Sequence, residues 1–215
     1  MFYDAVKNDH GLKYDPVKAL VCPRPIGWVS TLSSTGVANL APYSFFNMVA
    51  EKPAYVFFSS SGSKDSWRNA EATGEFVFSL ATYELRDRMN MTAAVVPPEV
   101  SEFELAGLTP APSHFVKPPR VAESPAALEC RYWKTVELPD HDGKGKQHAV
   151  VFGLVVGIHI EERAIKDGII DTGALGLITR LGYRDYGILR PDDVFTMGQP
   201  YVDANGNVGK KPPPK

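Results

Sequence analysis

The chain has 215 residues, of which 44% are hydrophobic and 22% are charged, and its formal net charge is −2. This composition is typical of a globular domain, and the small negative charge argues against a nucleic-acid-binding surface. The sequence has no apolar run that is long enough to cross a bilayer and no recognisable secretory signal, so we expect a cytoplasmic protein without a membrane partner. Two distant cysteines, Cys22 and Cys130, indicate free thiols rather than a disulfide framework.

The predicted elements are mainly short strands separated by turns rich in glycine and proline. After an irregular lead-in over 1–19, strands are expected over 26–32, 37–42, 54–60, 75–80, 126–138 and 149–161, with a weaker set over 177–189. Helices are expected over 66–73 and 83–93, and 43–49 is expected to be a loop or a short turn of helix. We therefore predict a mainly β fold that closes wholly or partly into a barrel, because closure removes unpaired strand edges.

Two further segments carry no predicted strand or helix. Residues 96–125 are rich in Pro, Ser and Glu, and a loop of this length indicates a functional or interface excursion. Residues 201–215 are polar and end in KKPPPK, so we interpret them as a flexible C-terminal tail that follows a single domain over 1–200.

The stretch Ser59–Asn69, which reads SSSGSKDSWRN, follows a predicted strand and leads into a predicted helix. Backbone N–H groups, serine hydroxyls and Lys64 beside a helix N-terminus together make a site for an anion such as a phosphate. The alternative interpretation is a polar turn whose helix is capped by Asp65 or Ser66. These residues alone leave both interpretations open.

Aromatic residues crowd the first sixty positions near the polar side chains of Arg24, Ser30, Thr31 and Asn39. They are Trp28, Tyr43, Phe45, Phe46, Tyr55, Phe57 and Phe58. Most are expected to fill the core of a barrel, but an apolar wall with polar groups at its rim also suits a planar ligand. FMN and pyridoxal phosphate each combine a planar ring system with a phosphate.

Other chemistries find less support. The five histidines share no metal-ligand spacing with one another or with the cysteines, so no metal site is predicted. Gly143–Lys146 lacks the spacing of a Walker loop, and neither a G-x-G-x-x-G nor a G-x-S-x-G motif is present. A Ser–His–Asp arrangement stays open, because its members meet only in space.

Several strings in the same order resemble one family. Arg24–Thr31 reads RPIGWVST, Asn39–Asn47 reads NLAPYSFFN, and Gly62–Asn69 reads GSKDSWRN. The later strings Glu102–Thr109 and Pro119–Cys130 fit the same pattern. Together they resemble the flavin reductase-like, FMN-binding split-barrel family, close to its flavoredoxin-like members.

The resemblance implies a split β-barrel with Greek-key topology and few short helices, a homodimer, and FMN near the dimer interface. It implies that Trp28, Val29, Ser30 and Thr31 line the isoalloxazine ring, and that Asn39, Ala41, Pro42, Tyr43 and Ser44 hold the ring edge and the ribityl chain. Ser59, Ser60, Lys64, Asp65 and Ser66 would take the phosphate end. Arg180 stands where relatives carry a further flavin contact, and Tyr183 replaces a glycine that is common in them.

The resemblance further implies an NAD(P)H:flavin oxidoreductase. NAD(P)H would pass a hydride to the flavin, which would pass electrons to free flavin or to another small acceptor, and no side chain is predicted to act as acid or base. Three alternatives stay open: an FMN-bearing electron carrier with no nicotinamide site of its own, a flavin- or haem-binding storage module, and a pyridoxamine-phosphate oxidase-like enzyme.

Overall fold

The computed structural model describes residues 1–145 and 147–210. Its helices are α1 (Val17–Leu20), α2 (Asp65–Thr73), α3 (Arg86–Met91) and α4 (Glu102–Leu105), with short 3-10 turns at Glu162–Ala164 and Pro191–Asp193. Its strands are β1 (Arg24–Pro25), β2 (Gly27–Leu32), β3 (Ala38–Tyr43), β4 (Phe46–Glu51), β5 (Ala54–Ser61), β6 (Glu75–Leu80), β7 (Pro110–Ala111), β8 (Arg120–Val121), β9 (Ala126–Leu138), β10 (His148–Ile160), β11 (Ile165–Lys166), β12 (Ile169–Ile170), β13 (Ile178–Arg180), β14 (Tyr186–Ile188), β15 (Pro200–Val202) and β16 (Val208–Lys210). None of these helices combines the length and the apolar character that a membrane span requires.

Seven strands form one antiparallel sheet in the order β3-β2-β6-β9-β10-β5-β4. β3 and β4 lie at opposite ends of this order, yet only Ser44 and Phe45 separate them along the chain. Because so short a connection spans about 10 Å at most, the sheet must curl until its two edges approach each other. Among the described residues no ladder joins β3 to β4, so the barrel stays open at this seam. The predicted mainly β split barrel is confirmed.

Apolar clusters lie on both faces of this sheet. One includes Val29, Phe58 and Phe76 and fills the interior of the barrel. Another includes Trp28 and Phe103 and lies between the sheet and the helices α3 and α4. Because successive residues of β2 point to opposite faces, Val29 joins the first cluster and Trp28 the second, so β2 is buried along almost its whole length.

The expectation of a loop or a helical turn over 43–49 is wrong. β4 (Phe46–Glu51) is a strand that pairs with β5 at the end of the sheet. Only Phe46 of this strand is buried. Its sequence therefore lacks the alternation of apolar and polar residues that makes a half-buried strand recognisable.

The helix expected over 83–93 is shorter than predicted, because α3 spans only Arg86–Met91. The residues before it are bound to a distant part of the chain. The Tyr83 N–H donates to the Gly176 carbonyl at 2.8 Å, and Thr82 forms an isolated bridge with Leu177. These backbone groups are thus engaged outside the helix.

The excursion over 96–125 is ordered by packing and by buried carboxylates. α4 and the pair β7–β8 lie within it, and Phe103 and Val121 join the second apolar cluster. The Glu129 carboxylate accepts the N–H groups of His114 at 2.9 Å and of Phe115 at 2.6 Å. The segment therefore covers the outer face of the sheet.

The polar segment that was interpreted as a tail contains a small hairpin. β15 pairs with β16, and Tyr201 stands opposite Gly209. The division into a domain over 1–200 and a tail over 201–215 stays a prediction. Residues 211–215, and Lys146 in the predicted hairpin loop, lie outside the described residues.

Candidate functional site

A cavity of about 560 Å³ opens beside the start of α2. Its wall is built from the end of β3 and the connection to β4, the end of β5, the first turn of α2, the segment after α3, and β13. The cavity therefore lies at the open seam of the barrel, where Ser44 and Phe45 connect β3 to β4. Within the described ranges, no group of three His, Cys, Asp or Glu side chains could hold a metal ion.

The helix α2 begins in the wall of this cavity, and no side chain of the described residues caps it. Lys64 is the N-cap residue and has an extended backbone, so the alternative N-caps Asp65 and Ser66 are wrong. The free N–H groups of a first helical turn and the helix dipole attract an anion. Asp65 is engaged in an ion pair with Arg68, whereas Lys64 has no ion-pair partner in the part of the chain that the structure describes.

Hydroxyl groups surround this helix start. Ser59 and Ser61 at the end of β5 and Ser66 on α2 line the cavity. Gly62, whose φ is +78°, makes the turn between β5 and α2 in a conformation that glycine adopts without strain. His148 stands opposite Ser61 in the β5–β10 ladder and brings a further polar side chain into the wall. The predicted anion site is thus assembled in one place.

A buried network holds Asn39 at the back of the cavity. Its Nδ2 donates to both carboxylate oxygens of Glu102 at 3.0 Å, and Glu102 also accepts the Leu40 N–H at 2.8 Å. The Oδ1 of Asn39 accepts the hydroxyl of Ser66 at 2.8 Å and that of Thr31 at 3.3 Å. Both polar atoms of the Asn39 amide are therefore engaged within the protein, and its main effect is to fix the Ser66 hydroxyl.

Burial changes the acidity of two groups in this wall. It raises the pKa of the Glu102 carboxyl, an effect that the hydrogen bonds from Leu40 and Asn39 offset only in part. Burial also raises the pKa of the Tyr43 phenol, an effect that the nearby side chains of Ser66 and Ser60 offset only in part. Tyr43 is therefore a neutral phenol at neutral pH and is able to donate a hydrogen bond.

Arg180 lies in the cavity wall, and Tyr183 lies beside it. Tyr183 has a φ of +53°, in the left-handed region that favours glycine. Its carbonyl accepts a hydrogen bond from the Arg180 guanidinium at 2.7 Å. The turn therefore keeps the backbone conformation that suits the glycine expected at this position, and the tyrosine adds an aromatic ring to the wall.

Ten of the predicted cofactor-binding residues line the cavity. They are Asn39, Ala41, Pro42, Tyr43, Ser44, Ser59, Lys64, Asp65, Ser66 and Arg180. Five others do not line it but are buried in the surrounding core: Trp28, Val29, Ser30, Thr31 and Ser60. The Trp28 indole donates to the Thr92 hydroxyl at 2.9 Å, and the Ser30 hydroxyl donates to the Pro119 carbonyl. Direct contacts of these five residues with a flavin stay predictions.

Several residues of the wall were not predicted from the sequence, namely Lys18, Arg68, Glu102, His148 and the segment 92–96. The spacing of Arg68 three residues after Asp65 was a usable signal, because such a pair meets on one face of a helix. Glu102 carried no comparable signal. Its carboxylate is buried only because α4 packs against β3, a contact between distant parts of the chain.

Comparison with known proteins bears directly on this cavity. A family model described as a flavin reductase like domain matches residues 20–184, which include almost the whole cavity wall. The chain belongs to the flavin reductase-like family. This confirms the resemblance found in the sequence and makes the protein a flavoprotein of oxidoreductase type.

Individual relatives agree with this assignment. An uncharacterized protein of Aquifex aeolicus is 39% identical over 186 residues, which cover 84% of this chain and 91% of the relative. The solved structure of nitrilotriacetate monooxygenase component B from Bacillus cereus is 33% identical, with a TM-score of 0.79 over 88% of this chain and 96% of that one. The flavoredoxin of Desulfovibrio vulgaris shares the fold, with 18% identity and a TM-score of 0.68 over 85% of this chain and 91% of that one.

Proposed function

We propose that the protein binds FMN and transfers a hydride from NAD(P)H to this flavin, which then passes electrons to an acceptor. The observation that carries the proposal is the uncapped start of α2 beside Lys64, in a cavity that also offers hydroxyl groups and apolar surface. Among flavins, this anion site favours FMN over riboflavin, because riboflavin has no phosphate.

The residues present fit FMN in three respects. The α2 N-terminus, Lys64 and the serines around them suit a dianionic phosphate. The hydroxyls of Ser66 and Tyr43 suit a polyhydroxylated chain. Pro42 and Phe45 provide apolar surface of the kind that a planar ring requires.

The chain's own residues bind and orient the cofactor. Lys64 and the first turn of α2 hold the phosphate, while Arg68 neutralises the Asp65 carboxylate that would otherwise repel it. The network through Asn39 and Glu102 positions Ser66. When bound, FMN supplies the redox chemistry. No side chain has to act as acid or base, and the similarity to a monooxygenase component favours an acceptor outside this chain.

Anaerobic reduction tests this function. The protein is loaded with FMN and mixed with NADH or NADPH, and the flavin absorption band is followed. We expect one of the nucleotides to bleach the band at a rate that saturates with its concentration. A bound flavin that dithionite bleaches, but that neither nucleotide bleaches, would refute hydride transfer and identify an electron carrier that takes its electrons from a protein.

We also propose that the protein is a homodimer. Trp133 is 59% exposed and packs edge to face against Tyr55 and Phe152, with ring centroids 5.6 Å and 5.9 Å away. These three aromatic side chains lie on the face of β5, β9 and β10 that points away from the barrel core. An exposed aromatic patch of this kind is typical of a protein interface. Light scattering should give twice the chain mass, and Trp133→Lys should give the monomer.

A further inference from the structure

We infer that the cavity binds a second oxyanion besides the FMN phosphate, a phosphate or carboxylate of the substrate that exchanges electrons with the flavin. Its site is a second group of cations in the same wall, Lys18, Arg24 and Arg180, called here the Arg24 group. The inference rests on the proposed function, because it assigns the chemical class of the substrate of that same site.

Arg24 is a buried cation for which the described part of the chain supplies no countercharge. Only 7% of the residue is exposed, and its guanidinium donates to the carbonyls of Lys18 at 2.6 Å, of Leu181 at 2.8 Å and of Val21. Carbonyl oxygens fix the group in place but carry no net charge. The Arg24 Nε is buried without a hydrogen-bond partner, and no ion pair to this guanidinium occurs in residues 1–145 and 147–210. A buried charge without a countercharge is costly, and an anion nearby would offset that cost.

The neighbouring cations Arg180 and Lys18 also have no carboxylate partner among the described residues. Arg180 stands opposite Arg24 in the β1–β13 ladder. Its guanidinium bonds the Tyr183 carbonyl and lies over the Tyr186 ring at 4.4 Å. Neither Arg180 nor Lys18 forms an ion pair in the described ranges of the chain. Three cations on one wall thus lack a carboxylate partner within residues 1–145 and 147–210, and such an arrangement binds phosphate or carboxylate groups.

The carboxylates of Asp65 and Glu102 in the cavity wall do not pair with the Arg24 group. The Asp65 carboxylate is paired with Arg68, and the Glu102 carboxylate accepts hydrogen bonds from Asn39 and Leu40. FMN carries one phosphate, which the start of α2 and Lys64 would take, and its oxidised ring is uncharged. The anion for the Arg24 group must therefore come from another molecule.

Aromatic surface flanks the Arg24 group. The Arg24 guanidinium lies over the Phe45 ring at 5.7 Å, and the Tyr183 ring also lines the cavity. Rings on this wall suit a ligand that carries its anionic group close to a planar ring system. A dihydronicotinamide dinucleotide has such a structure through its diphosphate, and an aromatic carboxylate has it through its carboxyl group.

The test removes charge from the group without removing Arg24, because Arg24 also binds three carbonyls of the fold. Lys18→Gln, Arg180→Gln and the double variant are compared with Arg184→Gln, an exposed arginine outside this cavity. FMN affinity is measured by fluorescence quenching. On the FMN-loaded protein, the half-saturating concentrations of NADH and of the uncharged donor N-benzyl-1,4-dihydronicotinamide are measured by anaerobic bleaching. The Kd of benzoate is measured from its effect on the flavin spectrum.

The double variant should bind NADH, benzoate or both about tenfold more weakly, which corresponds to the loss of one or two charge-assisted contacts. FMN affinity and the response to the uncharged donor should not change in Lys18→Gln, because Lys18 is not among the predicted FMN contacts. Weakening of NADH alone assigns the group to the diphosphate of the donor, and weakening of benzoate alone assigns it to the carboxylate of an acceptor. The inference is overturned if both anions respond as in Arg184→Gln, or if Lys18→Gln weakens FMN or the uncharged donor as much as it weakens the anions.

Failure of the proposed function can be distinguished from failure of the second oxyanion site. A protein that takes up no FMN refutes that function, and calorimetric titration of the same variants with inorganic pyrophosphate then tests the Arg24 group alone. Weaker pyrophosphate binding in the double variant than in Arg184→Gln supports the anion site. Equal binding in the two variants overturns it.

Discussion

Replacement of Lys64 by alanine tests the phosphate end of the cavity. Lys64 occupies the N-cap position of α2, but its side chain makes no capping hydrogen bond. It lines the cavity and has no ion-pair partner among the described residues. A hydrogen bond between a lysine and a phosphate contributes about 1.5–3 kcal/mol, or about 10- to 150-fold in affinity. The Lys64 side chain is exposed, and the α2 N-terminus and Arg68 remain in the variant, so we expect the lower end of this range, about a tenfold loss.

The assay compares two ligands that differ only in the phosphate. FMN and riboflavin are titrated into wild type and Lys64→Ala at low ionic strength, and binding is followed by quenching of flavin fluorescence. Lys134→Ala, an exposed lysine on β9 away from the cavity, is the control. FMN affinity should fall only in Lys64→Ala, riboflavin affinity should stay the same in all three proteins, and added salt should reduce the difference for FMN. Equal losses for both ligands would refute the assignment of Lys64 to the phosphate.

Three further predictions concern other buried groups. Glu102→Gln places an amide against the N–H donors of Asn39 and Leu40 and should lower the free energy of unfolding by about 1–3 kcal/mol. The control Glu104→Gln, on the exposed face of α4, should leave the free energy of unfolding unchanged. Equal urea midpoints for the two variants would contradict a stabilising role for the Glu102 hydrogen bonds. Because the pKa of Glu102 is raised in the fold, its contribution is present at low pH and is lost as pH rises. The difference in unfolding free energy between wild type and Glu102→Gln should therefore shrink above about pH 4.5. A difference that grows with pH would show that the pKa of Glu102 is lowered in the fold. Burial raises the pKa of the Cys130 thiol, whereas Cys22 is exposed. Ellman's reagent should therefore modify one thiol per native chain and two thiols after unfolding. Fast reaction of two thiols in the native protein would show that Cys130 is accessible.

The strands that were predictable are runs of β-branched and aromatic residues between turn signals, and their burial either alternates in part, as in β10, or is almost continuous, as in β2 and β6. β9 has the predicted bounds Ala126–Leu138, and β10 begins one residue before the predicted 149. β4 was not predictable, because Phe46 is its only buried residue and its sequence carries no alternation of apolar and polar residues. The length of α3 depends on a distant contact, from Tyr83 to Gly176.

The part of the site that is contiguous in the sequence was predictable, and the parts that come from distant segments were not. The anion site at Ser59–Asn69 was predictable because its serines, glycine and lysine are contiguous and stand between a strand and a helix. Glu102 and Lys18 reach the cavity from segments far from Lys64 in the sequence, so only the folded chain brings them together. Trp28 lies on β2, which is buried between two apolar clusters, and its predicted contact with the ligand stays a prediction.

Equilibrium titration of the purified protein with FMN tests whether the cavity binds this flavin. We expect each chain to take up one FMN, with quenched flavin fluorescence and a yellow protein after gel filtration. Riboflavin should bind more weakly than FMN, because the N-terminus of α2 and Lys64 hold the phosphate. A protein that remains colourless and leaves FMN fluorescence unchanged would refute FMN binding.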